Sequence, residues 1–254
     1  MNAASRKSLV GPTIFALIVF ALLIGLGVWQ LERKGWKEHL IDDLARKLAA
    51  DPVEFPSSKA WRALDRAHWE FRRVRFAAEF QNSEQALVYT SGSTFRPDVN
   101  GPGYWVFTPA HTGHGIVPVD RGFVPLDRKD VADQIAQQPS HSIDIVGVLR
   151  WPDSRSWFTP ADDPNRNIWF VRDPTVIANQ KGWGAVPPFY VEQEVPMPPG
   201  GFPVPGKLRP SLPNNHLQYA ITWFGLAAVL AGVFAAFVWN RHVDSNHASV
   251  QPSD

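Results

Sequence analysis

The chain has 254 residues, a formal net charge of +1 and no cysteine. A net charge this small gives no electrostatic footprint for nucleic acid, so no nucleic-acid partner is expected. Without cysteine there are no disulfides and no thiolate metal sites. The length leaves about 180 residues for one well-packed domain once two long apolar segments are set aside.

The first predicted element is an apolar segment without charged residues over 8–31. A helix needs about 20 apolar residues to cross a bilayer, so 9–31 is predicted to be the first transmembrane helix, after a short tail of residues 1–8. Its apolar run is longer than the core of a secretory signal, about 7–15 residues, and lacks a cleavage pattern. We expect an uncleaved anchor, and the short start favours a bacterial plasma membrane over an imported organelle protein.

Residues 32–212 are predicted to form one extramembrane domain that begins with a helix over 32–50. Apolar residues recur at helical spacing along that helix, and Asp51-Pro52 ends it because proline disfavours helix at the preceding residue. The apolar stripe consists of Leu40, Ile41, Leu44 and Leu48.

Beyond that helix, β-forming residues gather in short segments separated by Gly, Pro, Asn and Asp. The predicted strands are 69–76, 86–90, 104–109, 116–119 and 143–149. A hairpin turn is predicted at 112–115, a short surface helix at 130–138, a loop at 151–167 and a restrained extended lead at 196–213. The fold class is therefore a membrane protein of α+β type, with two transmembrane helices flanking one β-rich antiparallel domain.

A second uncharged segment over 211–240 predicts a transmembrane helix at 213–239 and a C-terminal tail at 240–254. Two spans in the lipid bilayer place both tails on one side. Near the spans, lysine and arginine are more numerous in the domain between them than in the two tails. Applied to these counts, the positive-inside rule would keep the domain in the cytoplasm. That rule is reliable only for short loops, so charge leaves the orientation open.

His216 is the strongest candidate for a functional residue. An ionisable group where the chain enters lipid is a functional candidate by default, and neutral imidazole is a common ligand of metals and haem iron. Ala220, Trp223 and Ala227 share its helical face, and Tyr219 lies nearby. A small alanine beside an aromatic shelf would let a flat macrocycle lie against the helix. The alternative is an interfacial histidine that binds headgroups and helix ends.

Three further patterns are weaker. His111, His114 and Asp120 could suggest a metal site or a membrane-bound hydrolase, but they straddle a glycine turn without further ligands at metal-binding spacing, so a solvated hairpin is favoured. Asp120-Arg121 is interpreted as a structural ion pair or an interaction patch. A ridge of small residues on the second span predicts close helix packing against the first span or another subunit. That ridge consists of Ala228, Gly232 and Ala236.

Three sequence blocks carry a resemblance to a known family. They are GVWQLERKGWK at 27–37, VDRGFVP at 119–125 and PNNHLQYAITWF at 213–224. In this order they resemble the surfeit-locus protein one family, assembly factors for haem-copper cytochrome c oxidase. The resemblance implies a protein that is no enzyme, binds haem a as cargo and helps its insertion into oxidase subunit I. It also implies haem a synthase as a partner and a multi-pass protein of the bacterial inner membrane, with its large domain in the periplasm and the tails at 1–8 and 240–254 in the cytoplasm.

The resemblance strengthens the hypothesis that His216 ligates the haem iron. Trp29 and Gln30 lie at the matching depth of the first span and could form the opposite wall of the pocket; a plain aromatic anchor is the alternative for Trp29. Basic residues on the same side of the membrane could meet the haem propionates: Arg209, Lys207, Arg33 and Lys34. The competing function is a membrane-tethered extracytoplasmic scaffold or ligand-sensing domain without haem.

Overall fold

A computed structural model describes residues 10–209 and 213–248, with side chains up to residue 241. The predicted tail at 1–8 lies outside the described residues. Two compact units divide the chain. A helical unit contains the chain up to Asp42 and from Pro213 onward, and a β-rich unit extends from Asp43 to Leu212.

Within the described residues, the helical unit contains most of one long apolar helix, α1 (Val10–Ala49), whose end from Asp43 onward belongs to the β-rich unit, and a second such helix, α5 (His216–Ala248). Both are long and apolar enough to cross a membrane, which confirms the two predicted apolar helices. The predicted span at 9–31 and the helix predicted at 32–50 are one continuous helix in the structure. The second helix likewise continues past the predicted end at residue 239.

Close packing between α1 and α5 depends on a glycine. Gly27 is buried, and a Cβ atom added there would lie 2.4 Å from Cε1 of the Phe224 ring. Ala220 and Ala227, which flank Phe224 along α5, are each 1% exposed. Small residues let helix backbones approach closely, so this face of α5 is the one that meets α1.

Over its described part, residues 43–209, the β-rich unit contains eight strands in one sheet, in the order β1-β2-β6-β8-β5-β4-β3-β7. The strands are β1 (Val53–Glu54), β2 (Arg73–Phe80), β3 (Ala86–Gly92), β4 (Asn100–Thr112), β5 (Gly115–Pro125), β6 (Ser142–Arg150), β7 (Ile168–Trp169) and β8 (Tyr190–Val195). An additional pairing joins β2 to β4, and it closes β2, β6, β8, β5 and β4 into a barrel-like ring. Three short helices complete the unit: α2 (Arg66–Trp69), α3 (Lys129–Ala136) and α4 (Pro174–Lys181).

The sheet is mixed, whereas the sequence predicted an antiparallel one. β5 pairs with β8 in parallel, with Val119 opposite Val191 and Asp120 opposite Glu192. β6 pairs with the other edge of β8 in antiparallel fashion. Since β5 and β6 therefore run in opposite directions, a strand inserted between them is necessarily parallel to one of them. The short pairings β1–β2 and β3–β7 are parallel as well.

Apolar side chains of the ring strands form the central core of the unit. Val74, Val119, Ile145, Leu149 and Val191 come from β2, β5, β6 and β8 and are fully buried in one cluster. Each fully buried aliphatic side chain contributes roughly 1.5–3 kcal/mol relative to an exposed one. The core thus holds together strands that are distant in sequence.

Most predicted elements of this unit are confirmed. The segments 86–90, 104–109, 116–119 and 143–149 lie within β3, β4, β5 and β6, and the predicted surface helix corresponds to α3. Thr112 pairs with Gly115 across the predicted hairpin turn.

The predicted strand at 69–76 is wrong at its start. Asp65 caps α2 by accepting a hydrogen bond from the backbone N–H of Ala67, and this helical turn extends to Trp69. Phe71 then adopts a positive φ of 68°, which interrupts the extended backbone, and β2 begins only at Arg73. A local helix cap overrode the alternation of apolar and polar residues.

Helix α4 was not predicted, although the sequence carries its signals. The Asp173 side chain accepts hydrogen bonds from the backbone N–H groups of Thr175 and Val176, Pro174 occupies the first turn, and Gly182 ends the helix at φ 72°. An Asp-Pro start and a glycine stop are typical of helix boundaries. The two-residue strands β1 and β7 and strand β8 were also missed.

Candidate functional site

His216 is the first residue of α5 and is half-buried. Asn215 precedes the helix at the N-cap position, and its carbonyl oxygen accepts a hydrogen bond from the backbone N–H of Tyr219 at 3.3 Å. The preceding residue, Asn214, has a buried Oδ1 without a hydrogen-bond partner. The position of His216 in the first turn of α5 is therefore fixed by a backbone hydrogen bond and not by a capping side chain.

The side chain of His216 is held by Gln30 of α1, at 2.7 Å between Nδ1 and Oε1. An amide oxygen only accepts hydrogen bonds, so Nδ1 carries the proton and donates. The lone pair of the neutral imidazole then lies on Nε2, the nitrogen available to a metal. Two of the residues predicted to form the site are thus brought together across the two helices, and their contact fixes the tautomer.

The aromatic residues predicted around His216 are placed unequally. Trp29 is 53% exposed and Tyr219 is 55% exposed, so both turn much of their surface away from the rest of the unit. Trp223 is half-buried. The exposure of Trp29 is what an aromatic anchor at a membrane interface would show.

The alanines that share the helical face of His216, Ala220 and Ala227, are not open to a flat macrocycle. Both alanines are covered, and Gly27 packs against the Phe224 ring between them. Small residues on this face allow α1 and α5 to approach, so the face is occupied by packing. A flat ligand at His216 therefore has to lie outside the contact between the helices.

The ridge of small residues on α5 lies on a different face. Ala228, Gly232 and Ala236 are all exposed, and a Cβ atom added at Gly232 would meet no atom within 4 Å. Within the described residues this ridge makes no close contact with α1. The ridge therefore does not pack against the first span, which was one of the two partners considered for it.

The basic residues predicted to meet propionates fall in both units. Arg33 and Lys34 belong to α1, where Lys34 donates to Glu38 at 2.6 Å and the Arg33 guanidinium lies 4.0 Å from the Trp36 ring centroid. Lys207 and Arg209 belong to the β-rich unit. Arg209 is exposed, and its backbone N–H donates to Phe95 at 2.7 Å. Lys37 of α1 donates to the carbonyl oxygen of Pro213, just before α5.

An apolar cavity of about 230 Å³ lies between the helices, far from His216 along α5. Its lining includes Leu17 and Phe20 of α1 and Leu230 and Phe234 of α5. From residue 216 to residue 230 a helix rises about 21 Å. This cavity is therefore separate from the histidine.

The hairpin histidines do not join a metal site. His111 and His114 are exposed on either side of the turn, and His111 Nε2 lies 3.2 Å from Gln81 Oε1. Asp120 is fully buried, away from that surface. Among the described residues, no group of three or more His, Cys, Asp or Glu side chains is arranged to hold a metal ion.

Asp120 and Arg121 do not form the ion pair predicted from their adjacency. They follow each other on β5, where successive side chains point to opposite faces. Asp120 Oδ1 accepts a hydrogen bond from the Gly122 N–H at 3.0 Å, whereas Arg121 Nη1 donates to Asn82 at 2.7 Å. The alternation of the strand separates the two charges.

A network of buried charges surrounds Asp120, and sequence reasoning missed it. Arg150 Nη1 donates to Glu192 Oε2 at 3.2 Å, with both side chains less than 5% exposed. Arg172 lies 3.7 Å from Glu192 and 4.0 Å from Asp120, and it donates to Asp153 at 2.8 Å. A buried charge needs such partners, because it loses its hydration free energy and only a nearby opposite charge and hydrogen bonds can compensate for that loss. A cavity of about 390 Å³ adjoins this network and is lined by Arg172 and by aromatic residues.

The network predicts a pH-dependent effect of replacing Asp120. Burial, reinforced by Glu192 and opposed by Arg172, raises the pKa of the Asp120 carboxyl well above its usual value. A carboxyl with a raised folded-state pKa binds more protons when folded, so stability is lost as pH rises from the unfolded pKa, about 3.9, toward the folded one.

Asp120→Asn removes this titration and keeps an acceptor for the Gly122 N–H. We expect its stability relative to the wild type to increase with pH over that window, with a slope of at most about 1.4 kcal/mol per pH unit. Thermal unfolding of both proteins between pH 4 and 8 measures the difference. Parallel stability curves for the two proteins would contradict the assignment.

Together these features define a barrel-like β-domain that is preceded and followed in the chain by apolar helices long enough to cross a membrane. A histidine and a glutamine are paired across those two helices. The sequence matches the profile of the SURF1 family over residues 17–228. The chain belongs to the SURF1 family, which confirms the resemblance seen in the three sequence blocks.

Similar proteins cover most of the chain. Surfeit locus protein 1 of Homo sapiens is 32% identical over 224 residues, which is 84% of this chain and 72% of the human protein. Surfeit locus protein 1 of Rattus norvegicus is 30% identical over 240 residues, 89% of this chain and 74% of the rat protein. A SURF1-like protein of Monosiga brevicollis is 31% identical and covers 98% of this chain and 94% of its own length.

Proposed function

We propose that this protein binds haem a as cargo through His216 and serves as an assembly factor for haem-copper cytochrome c oxidase. Membership of the SURF1 family supports the assembly role. The single observation that carries the site is the hydrogen bond of 2.7 Å between His216 Nδ1 and Gln30 Oε1.

That bond prepares His216 for a metal in three ways. It fixes the ring orientation, it holds the proton on Nδ1, and it makes Nε2 a better donor of its lone pair. Histidines that ligate metals usually donate their other ring N–H to such an oxygen. Because Gln30 belongs to α1 and His216 to α5, the ligand is poised only when the two helices pack together.

The other predicted contacts follow from this arrangement. Trp223 is half-buried, and Trp29 and Tyr219 are more exposed. We assign these rings to the apolar edge of the macrocycle, where they shield it from water. A second ligand to the iron would come from a histidine of the oxidase or of another protomer.

We place the protein in a bacterial inner membrane, with the β-rich unit in the periplasm. Haem a synthase would supply the cargo and oxidase subunit I would receive it. No bond in the cargo is made or broken during transfer, so the role is that of a carrier and not of an enzyme.

Deleting the gene tests the assembly role. We expect the deletion strain to lose most of the haem a signal of oxidase subunit I and most cytochrome c oxidase activity. The b- and c-type haems should change little, because their insertion does not need a carrier of haem a. Reduced-minus-oxidised spectra of membranes measure the three haem types together.

The control is the same strain carrying the gene on a plasmid, which should recover the signal. An unchanged oxidase spectrum in a deletion strain without a second copy of the gene contradicts the proposal.

A further inference from the structure

A second cavity in the β-rich unit has a buried arginine in its wall. Its volume is about 250 Å³, and its lining is largely apolar, with Phe80, Ile143, Met197 and four prolines. The polar side chains of the lining include Asn82, Arg121 and Gln193, and none of the lining residues is acidic. The cavity therefore offers one permanent positive charge within apolar walls.

Arg121 lacks the counter-charge that a buried guanidinium normally has. It is 7% exposed, its Nη1 donates to Asn82 Oδ1 at 2.7 Å, and its Nε is buried without a partner. Its guanidinium carbon lies 4.2 Å from the Phe80 ring centroid, which compensates only part of the lost hydration. Among the described residues no carboxylate forms an ion pair with it, and burial alone lowers its pKa to about 10. The guanidinium thus stays charged at neutral pH while its Nε–H donates to nothing.

Arg121 lies in a β-bulge of β5. In the pairing of β4 with β5, Phe107 faces Asp120 and Trp105 faces Phe123. Two residues of β5, Arg121 and Gly122, therefore stand opposite one residue of β4. Bulges of this kind re-aim side chains and recur beside functional sites.

A second polar group in the lining also lacks its partner. Gln193 is 2% exposed, its Nε2 donates to the Pro196 carbonyl oxygen at 2.8 Å, and its Oε1 is buried without a donor. Arg121 and Gln193 both line the cavity, and each side chain has one polar atom without a hydrogen-bond partner. A ligand that satisfies both must carry an anion and an N–H group close together.

We propose that this cavity binds a terminal carboxylate next to an acylated amino group, as found in an N-acyl amino acid or at the C-terminus of a peptide. The carboxylate accepts from Arg121, the adjacent amide N–H donates to Gln193, and a small apolar side chain contacts Phe80 and Ile143. One guanidinium balances one carboxylate, whereas a phosphate dianion would leave a buried negative charge without a partner. This site is independent of the haem proposal.

The sequence provides its own probe for the test. The chain contains two methionines, Met1 and Met197, and Met197 lines the cavity. The full-length protein in detergent micelles, labelled with methyl-¹³C methionine, therefore gives one signal at the site and one internal reference. N-acetyl-alanine is added to this sample, and N-acetyl-alaninamide serves as the matched ligand without charge.

We expect N-acetyl-alanine to shift the Met197 signal in a saturable manner and to leave the Met1 signal unchanged. The amide should bind about 10- to 100-fold more weakly, because it lacks the charged hydrogen bond. Propionate, which has the carboxylate but no N–H, should also bind more weakly. Equal shifts from the acid and the amide, or no shift from the acid, would overturn the proposal.

Two variants and one peptide complete the design. Arg121→Gln should lose the preference for the acid, and Arg62→Gln, at an exposed arginine outside the cavity, should bind like the wild type. If Arg121→Gln fails to fold, the comparison of acid with amide in the wild type still decides. A tetrapeptide with a free C-terminus that binds like N-acetyl-alanine identifies a peptide terminus as the natural ligand; binding of the small acid alone identifies a free metabolite.

Discussion

Replacing His216 with alanine is expected to abolish ligation of the haem iron while the protein stays in the membrane. The bond between iron and imidazole is directional and requires an unprotonated nitrogen, so burial elsewhere on the helices cannot replace it. The apolar macrocycle can still partition onto the helix surface. We therefore expect weak binding with a displaced Soret band, and an affinity reduced by more than about 100-fold, beyond what losing an outer-sphere partner costs.

Absorption spectra and haem stoichiometry of the purified variants measure this effect. His111→Ala and His114→Ala, at the exposed hairpin, are the matched controls and should keep the wild-type spectrum. The prediction is wrong if His216→Ala retains full haem with an unshifted Soret band while a hairpin variant loses its haem. The haem site would then lie in the β-rich unit.

Gln30 provides a second variant for the same site. Gln30→Leu removes the acceptor of the hydrogen bond to Nδ1 and should weaken haem binding about 10- to 100-fold. Gln30→Glu retains an acceptor and should restore most of that loss. A role of Gln30 in packing alone would not separate these two variants.

Replacing Gly122 with alanine is expected to destabilise the β-rich unit by about 3 kcal/mol or more. Gly122 has φ of +122°, and a Cβ atom added there would lie 2.2 Å from the carbonyl oxygen of Val204. A side chain in this backbone region costs roughly 1–3 kcal/mol. The clash also separates the hydrogen bonds that join Phe123 and Val204, at 3.1 and 2.8 Å, each worth about 1 kcal/mol.

Gly113→Ala is the control for this substitution. Gly113 lies in the hairpin turn, no positive φ is recorded for it, and a Cβ atom added there would meet no atom within 4 Å. Its thermal unfolding should match that of the wild type within about 0.5 kcal/mol. If both variants unfold alike, the close approach at Gly122 does not limit stability.

For the helical unit, the sequence predicted the features that depend on the length of an apolar segment and on how deep a residue lies within it. A bilayer requires a minimum apolar run, so the two helices could be found without knowledge of their packing. Counting residues from the domain side also placed Gln30 opposite His216. Their hydrogen bond could not be foreseen, because it depends on how the helices rotate against each other.

The β-rich unit was less predictable, because its polar interior depends on partners distant in the chain. Glu192 carries a charge that favours the surface, and it can be buried only because it pairs with Arg150, which lies 42 positions earlier. Arg121 stood next to Asp120 in sequence and was interpreted as its partner, yet strand alternation separates them. Helix α4 is a different case, because its Asp-Pro start and its glycine end are sequence signals from which it could have been predicted.

The position of β8 has a consequence for biosynthesis. It is the last strand to emerge from the ribosome, and it occupies the middle of the sheet between β6 and β5. Until residues 190–195 are available, the facing edges of β5 and β6 remain unpaired, and open edges invite aggregation. Pairings between distant segments also slow folding. The nascent chain must therefore keep a nearly complete but open barrel soluble while it is synthesised, and the barrel can close only shortly before α5 follows.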